Sequence, residues 1–186
     1  MNSYQKFPLN AAKGIKMLVL DVDGVLTEGH VTMTDSGDEI KNFNVRDGHG
    51  IKMLQRVGIE VAILTGRKSK VVAHRAKDLG IKYVIQGSLR KADGLQDLCG
   101  QAGISPEECA YMGDDVIDLP AMTQCCLKTA PNNAHKSVLN RAEWVSSYDG
   151  GLGAVRQLCE GLILAKGGWD DVIKKAYGVS PEDSGW

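Results

Sequence analysis

The sequence predicts an α/β protein built as a three-layer, doubly wound, largely parallel sheet with helices on both faces. Three observations carry that prediction. Apolar runs of strand length alternate with helical patterns along most of the 186 residues. The first run, Met17-Leu18-Val19-Leu20, is apolar throughout, as a strand buried on both faces must be. The runs also end in polar clusters, and open α/β sheets bind their ligands beyond the carboxyl ends of the strands. With no repeat, low-complexity block or linker, the whole of residues 1–186 reads as one domain.

Residues 1–15 form a polar leader ahead of the first strand, which ends in Asp21-Val22-Asp23-Gly24. His30–Thr34 and Glu39–Val45 are short and β-leaning, and they flank Asp35-Ser36-Gly37-Asp38. That is a hairpin signal, placed where a plain βαβ unit would have its crossover helix. It marks an insertion over about residues 28–45. Beyond it a helix is expected from Gly48 to Val57, a strand from Glu60 to Leu64 running into Thr65-Gly66-Arg67, and a helix from Lys68 to Leu79 stopped by Gly80. A strand over Lys82–Ile85 and a helix over Lys91–Gln101 follow. Ser105-Pro106-Glu107-Glu108 has the form of a capping box. Cys109–Met112 is then a strand ending in Gly113-Asp114-Asp115, and Asp115–Gln124 a helix. A strand over Cys126–Thr129, a helix over Asn133–Asn140, a short strand over Glu143–Val145 and an amphipathic helix over Leu152–Ala165 complete the series. The tail, about 166–186, mixes glycine and charge and ends in Trp186.

Composition excludes several classes of function. A net charge of −1 gives no global pull towards nucleic acid or an anionic membrane. No run approaches the about 18 apolar residues of a membrane span, and the first residues lack the apolar stretch of a signal peptide. Five cysteines without metal spacing read as reduced, mostly buried thiols. The expectation is a soluble, cytoplasmic protein.

The polar clusters suit phosphoryl transfer. Carboxylates at two strand ends, Asp21/Asp23 and Asp114-Asp115 with Asp118, offer the oxygen ligands that Mg²⁺ prefers. The Thr65 hydroxyl, a neighbouring backbone N–H at Gly66 and the Lys91 ammonium make a pocket for a phosphoryl group. One carboxylate can act as nucleophile while the next serves as acid and base. Taken singly, each piece is more often structural: a polar turn, a solvated lysine, a helix cap. Their joint occurrence at successive strand ends favours the functional reading.

In those motifs the chain resembles the haloacid dehalogenase-like phosphohydrolases. Asp21-Val22-Asp23-Gly24 looks like their first motif, Thr65 their second, Lys91 their third and Gly113-Asp114-Asp115-Val116-Ile117-Asp118 their fourth. The resemblance implies that Asp21 is the nucleophile and Asp23 the acid and base. It also implies that Mg²⁺ is held by Asp21, the Asp23 main-chain carbonyl and Asp114, with Asp115 and Asp118 in support and Thr65, Gly66 and Lys91 on the phosphate. Only the hairpin lies between Asp23 and Thr65, so no cap domain is expected.

Phe43–Gly48, Thr65-Gly66-Arg67, Gln86-Gly87 and Gly150–Arg156 further resemble the capless 3-deoxy-D-manno-octulosonate 8-phosphate phosphatases. That likeness implies a small anionic sugar phosphate as substrate, a place in lipopolysaccharide precursor synthesis, and a homotetramer joined by its hairpins with sites shared between subunits. Phosphatases of nine-carbon sugar acid 9-phosphates are similar too, but typically carry Glu at the position of Arg67 and Lys at that of Asp78. Arg67 and Arg75, with Arg46, are therefore the candidate substrate-binding residues, a guanidinium being suited to a carboxylate. The chain departs from the octulosonate pattern at Leu152, where Arg is common.

Three other readings fit the sequence less well. A receiver-type phosphoacceptor also uses acids, Thr and Lys, but its acid pair precedes the acceptor, whereas here an acid cluster follows Lys91. A calcium loop starting at Asp21 would need Gly at Leu26 and Glu at Thr32. An inactive interaction subunit would be expected to lack one of Asp21, Asp23, Lys91 or Asp114.

Overall fold

The computed structural model describes residues 7–186; positions 1–6 of the leader lie outside the described residues. A short helix α1 (Leu9–Ala12) leads into β1 (Met17–Leu20). The hairpin strands β2 (Thr32–Met33) and β3 (Glu39–Ile40) are followed by α2 (Val45–Arg56), β4 (Glu60–Thr65), α3 (Lys70–Leu79), β5 (Tyr83–Gln86) and α4 (Lys91–Ala102). The second half contains β6 (Cys109–Met112), α5 (Leu119–Met122), β7 (Leu127–Ala130), α6 (Lys136–Leu139), β8 (Trp144–Val145), α7 (Ala154–Ala165) and α8 (Lys175–Tyr177).

Six strands form one sheet in the order β5-β4-β1-β6-β7-β8, all parallel, and β2-β3 stand apart as an antiparallel pair. Strand alternation divides the core in two. Leu18 and Leu20 pack with Ile51 and Leu54 of α2, Val72 and Ala76 of α3 and Leu158 and Leu162 of α7. Met17 and Val19 face the other way, with Leu95 and Leu98 of α4 and Met122 of α5. Two apolar layers around one sheet give the three-layer architecture expected. Because β1 is central, with β4 on one side and β6 on the other, the chain crosses over it after β5. That is the switch point where a crevice opens at the strand ends.

Three local readings change. The hairpin strands are only two residues each, pairing Thr32 with Ile40 and Met33 with Glu39. Residues 43–45 do not extend the second strand, because the Asn44 side chain accepts from Arg46 N at 2.8 Å and caps α2 three residues before the expected start. The segment 115–124 is not one helix: a single 3₁₀ turn, Val116–Asp118, precedes α5. Asp118 Oδ2 accepts from the backbone N–H groups of Asp114 and Asp115, which tightens that turn.

Residues at both ends of the described chain join the core. Phe7 stacks edge-on against Trp144 and Trp186, with centroids 5.3 and 5.6 Å apart. In the tail, Trp169, Val172 and Ile173 are buried. The Ser105 N–H donates to Glu108 Oε2 at 3.0 Å, the reciprocal half of a capping box. All five cysteines are unpaired and four are buried. Among the described residues no helix is long and apolar enough to cross a membrane.

Candidate active site

The carboxyl ends of β1, β4 and β6 open into one cleft of about 330 Å³. Its walls include Asp21, Asp23, Thr65, Gly66, Arg67, Lys91, Asp114 and Asp115, so most of the candidate residues converge, joined by Gly29, Leu89 and Ile117. Asp21 belongs to the ladder as much as to the loop: its N–H donates to Met112 O at 3.1 Å, which holds it at the head of β1. Gly24 has φ +88°, and a Cβ there would lie 2.1 Å from Asp114 Oδ2. Only glycine lets the loop after β1 approach the loop after β6 this closely.

Lys91, the first residue of α4, is 1 % exposed and runs beneath the cleft. Its Nζ donates to Asp118 Oδ1 at 2.6 Å and lies 2.9 Å from Asp21 Oδ1. The second contact is an ion pair, so the ammonium sits between the two carboxylates. Asp118 is fully engaged, with Tyr111 Oη donating to Oδ1 at 2.8 Å and two backbone N–H groups to Oδ2. Its part is therefore to orient Lys91 and the Asp114 loop. Burial opposes the charge on Lys91, but Asp21 and Asp118 outweigh it and hold the ammonium above its ordinary pKa.

A second network lies across the mouth. Lys41 ion-pairs with Asp23 Oδ1 and lies 3.2 Å from Glu39 Oε1. Arg67 Nη2 donates to Glu39 Oε1 at 2.6 Å, while its Nε stands 3.9 Å from Asp23 Oδ2. Against some desolvation, a hydrogen bond from Ser69 and the cations Lys41 and Arg67 hold the Glu39 carboxyl below its usual range. Sequence reasoning passed over Lys41 and Glu39. Their two-residue spacing in a β-leaning segment, which in an extended chain puts both on one face, was the available signal.

Asp21, Asp114 and Asp118 offer carboxylate oxygens within 4.8 Å of one another. Burial, then repulsion from Asp118, pushes Asp21 up to about 6. Burial, then Asp21 and Asp118, pushes Asp114 up to about 7. Asp114 Oδ1 is buried without a hydrogen-bond partner among the described residues, and Asp21 Oδ1 is buried beside the Lys91 ammonium. Two such carboxylates, with room for water and a phosphoryl oxygen, fit a hard divalent cation such as Mg²⁺.

Arg75 and Arg46 line no part of this cleft. Arg75 pairs with Asp78 at 2.7 Å and lies 5.7 Å from the Phe43 ring centroid. Arg46 borders a separate cleft of about 360 Å³ with Leu152, Arg156 and Glu160.

Comparison with known proteins sets this geometry in a family. A family model described as haloacid dehalogenase-like hydrolase matches residues 44–125. The chain is 45 % identical over 163 residues to the 3-deoxy-D-manno-octulosonate 8-phosphate phosphatase KdsC of Salmonella typhi, covering 88 % of this chain and 87 % of that one. The chain belongs to this family of haloacid dehalogenase-like phosphatases. Solved structures agree. The phosphatase of the same name from Yersinia pestis matches with a TM-score of 0.86 at 41 % identity, over 89 % of each chain. That from Moraxella catarrhalis, in complex with magnesium ion, phosphate ion and KDO, matches with a TM-score of 0.88 at 38 % identity, over 90 % of this chain and 97 % of that one. The expected fold class, and membership of a capless family, are both borne out.

Proposed function

We propose that this chain is a Mg²⁺-dependent phosphomonoesterase that hydrolyses 3-deoxy-D-manno-octulosonate 8-phosphate to the free sugar acid and phosphate, a step of lipopolysaccharide precursor synthesis. The observation that carries the proposal is the meeting of Asp21, Asp23, Asp114, Thr65 and Lys91 in one cleft, in a chain of this family. Asp21, the Asp23 carbonyl and Asp114 hold the cation, with Asp115 beside them. When bound, Mg²⁺ neutralises phosphoryl charge and orients the ester for attack. Thr65, the Gly66 backbone and Lys91 grip the non-bridging oxygens.

A carboxylate oxygen of Asp21 attacks phosphorus, and the bond from phosphorus to the sugar oxygen breaks. Asp23 gives its proton to that leaving oxygen. Asp23, now ionised, takes a proton from water as the water attacks the aspartyl-phosphate. Phosphate leaves and Asp21 is regenerated. Arg67 is the cation best placed for the substrate's carboxylate, being half exposed at the cleft mouth.

The protein works as a homotetramer in the cytoplasm. The hairpin exposes Val31, Met33 and Ile40, an apolar surface suited to packing against other copies, and such packing would cover each cleft with a neighbouring subunit. Arg46 and Arg75 line no part of the cleft of their own chain, so a share in binding substrate would have to come at a neighbour's cleft. Five unpaired cysteines suit a reducing compartment.

Metal removal tests the chemistry. EDTA is expected to abolish phosphate release and Mg²⁺ to restore it. Because Asp21 and Asp114 must be ionised to hold the cation, apparent Mg²⁺ affinity should fall as pH is lowered from about 7 through about 6. Full turnover in EDTA would contradict the proposal.

A further inference from the structure

Lys41 sits just after β3 on a surface hairpin, yet its side chain is 1 % exposed. It turns inward and ends between two carboxylates, Asp23 Oδ1 and Glu39 Oε1, the latter at 3.2 Å. An ammonium so poor in solvent persists only when paired, and this one is paired twice. The two oxygens of Asp23 are thereby made unequal. Oδ1 accepts from Lys41, whereas Oδ2 has Arg67 Nε as its neighbour at 3.9 Å, beyond hydrogen-bond distance.

We propose that Lys41 is a positioning residue for Asp23: it clamps Oδ1, fixes the carboxyl rotamer, and leaves Oδ2 as the oxygen that exchanges a proton with the leaving group and the water. Glu39 holds Lys41 in turn, and Arg67 holds Glu39 at 2.6 Å, so the hairpin and the loop after β4 share one network. A lysine suits the task because its three donors diverge from one point and serve both acids at once. The hairpin insertion thus supplies the chemistry with a residue as well as supplying the molecule with an assembly surface. The inference rests on the reading of Asp23 as acid and base.

The test uses the full chain with Mg²⁺ and compares kcat/KM for 3-deoxy-D-manno-octulosonate 8-phosphate and for p-nitrophenyl phosphate in wild type and Lys41→Met. This ratio reports only the steps up to departure of the leaving group. A sugar alkoxide needs a proton to leave, whereas nitrophenolate needs none. With Asp23 loosened, the loss on the sugar ester should exceed the loss on the aryl ester by at least about tenfold, a part of the usual contribution of a general acid. Thermal melts establish that the variant is folded; Lys41→Gln carries the comparison if Lys41→Met does not fold. Equal losses on both esters, or none on either, would overturn the inference. Wild-type protein inactive on both would overturn the underlying phosphatase reading, and this inference with it.

Discussion

Asp21→Asn is expected to lower phosphate release by about 10⁴-fold or more while leaving the protein folded. The amide keeps the shape of the carboxyl but is not the nucleophile that an aspartyl-phosphate needs, and it removes a ligand charge from the cation site. Stability should not follow activity. Burial and the Asp118 charge raise Asp21 from 3.8 to about 6 in the folded protein, so its ionised form is the unfavourable one there. A group raised in this way contributes its stability below the unfolded value and loses it as pH rises through the folded value. In metal-free protein the variant should therefore melt no lower than wild type at pH 8, and any advantage should shrink towards pH 4. Lys91 retains Asp118 at 2.6 Å in either case. Phosphate release and thermal melts at both pH values check the two halves, and a variant with near-normal turnover would remove Asp21 from the role of nucleophile.

Lys91→Met should behave in the opposite way, costing stability as well as turnover. Among the described residues the ammonium is the one cation placed between Asp21 and Asp118, and Asp118 is wholly buried. Methionine fills the space of the stem, so the loss is of charge rather than of packing. Tyr111 and two backbone N–H groups still serve Asp118, but three crowded carboxylates are left without their counter-charge. Removing one partner of a buried ion pair costs roughly 3–5 kcal/mol, and loss of a preorganised phosphate-binding cation about 10²–10³-fold in turnover. Urea unfolding and phosphate release measure the two effects. A variant as stable as wild type would mean that the acids do not depend on Lys91 for compensation.

Much of the fold and part of the site were legible in the sequence for a common reason. A central parallel strand must be apolar on both faces, so Met17–Leu20 stands out, and the first polar residues after it mark the carboxyl end of the sheet. The same logic found Thr65 at the end of β4 and Asp114 after β6. What sequence reading missed depends on contacts between distant segments. Lys41 and Glu39 acquire meaning only when the hairpin folds back over the loop after β1. Asn44 looked extended because β-leaning residues flank it, yet one side-chain hydrogen bond to Arg46 made it a helix cap. The burial of Phe7 under Trp144 and Trp186 joins the two ends of the described chain, and no local pattern announces it. The direction of Arg75 was equally hidden, since a helix position alone does not say whether a guanidinium turns to a cleft or to Asp78.

The most direct test of the central claim is phosphate release with Mg²⁺ from 3-deoxy-D-manno-octulosonate 8-phosphate, measured beside a nine-carbon sugar acid 9-phosphate and p-nitrophenyl phosphate. The expected result is a kcat/KM for the eight-carbon ester well above the other two, with Arg67 at the mouth meeting its carboxylate. Preference for the nine-carbon ester would contradict the assignment of substrate while keeping the chemistry of Asp21 and Asp23. Release from none of the three would contradict the phosphomonoesterase itself.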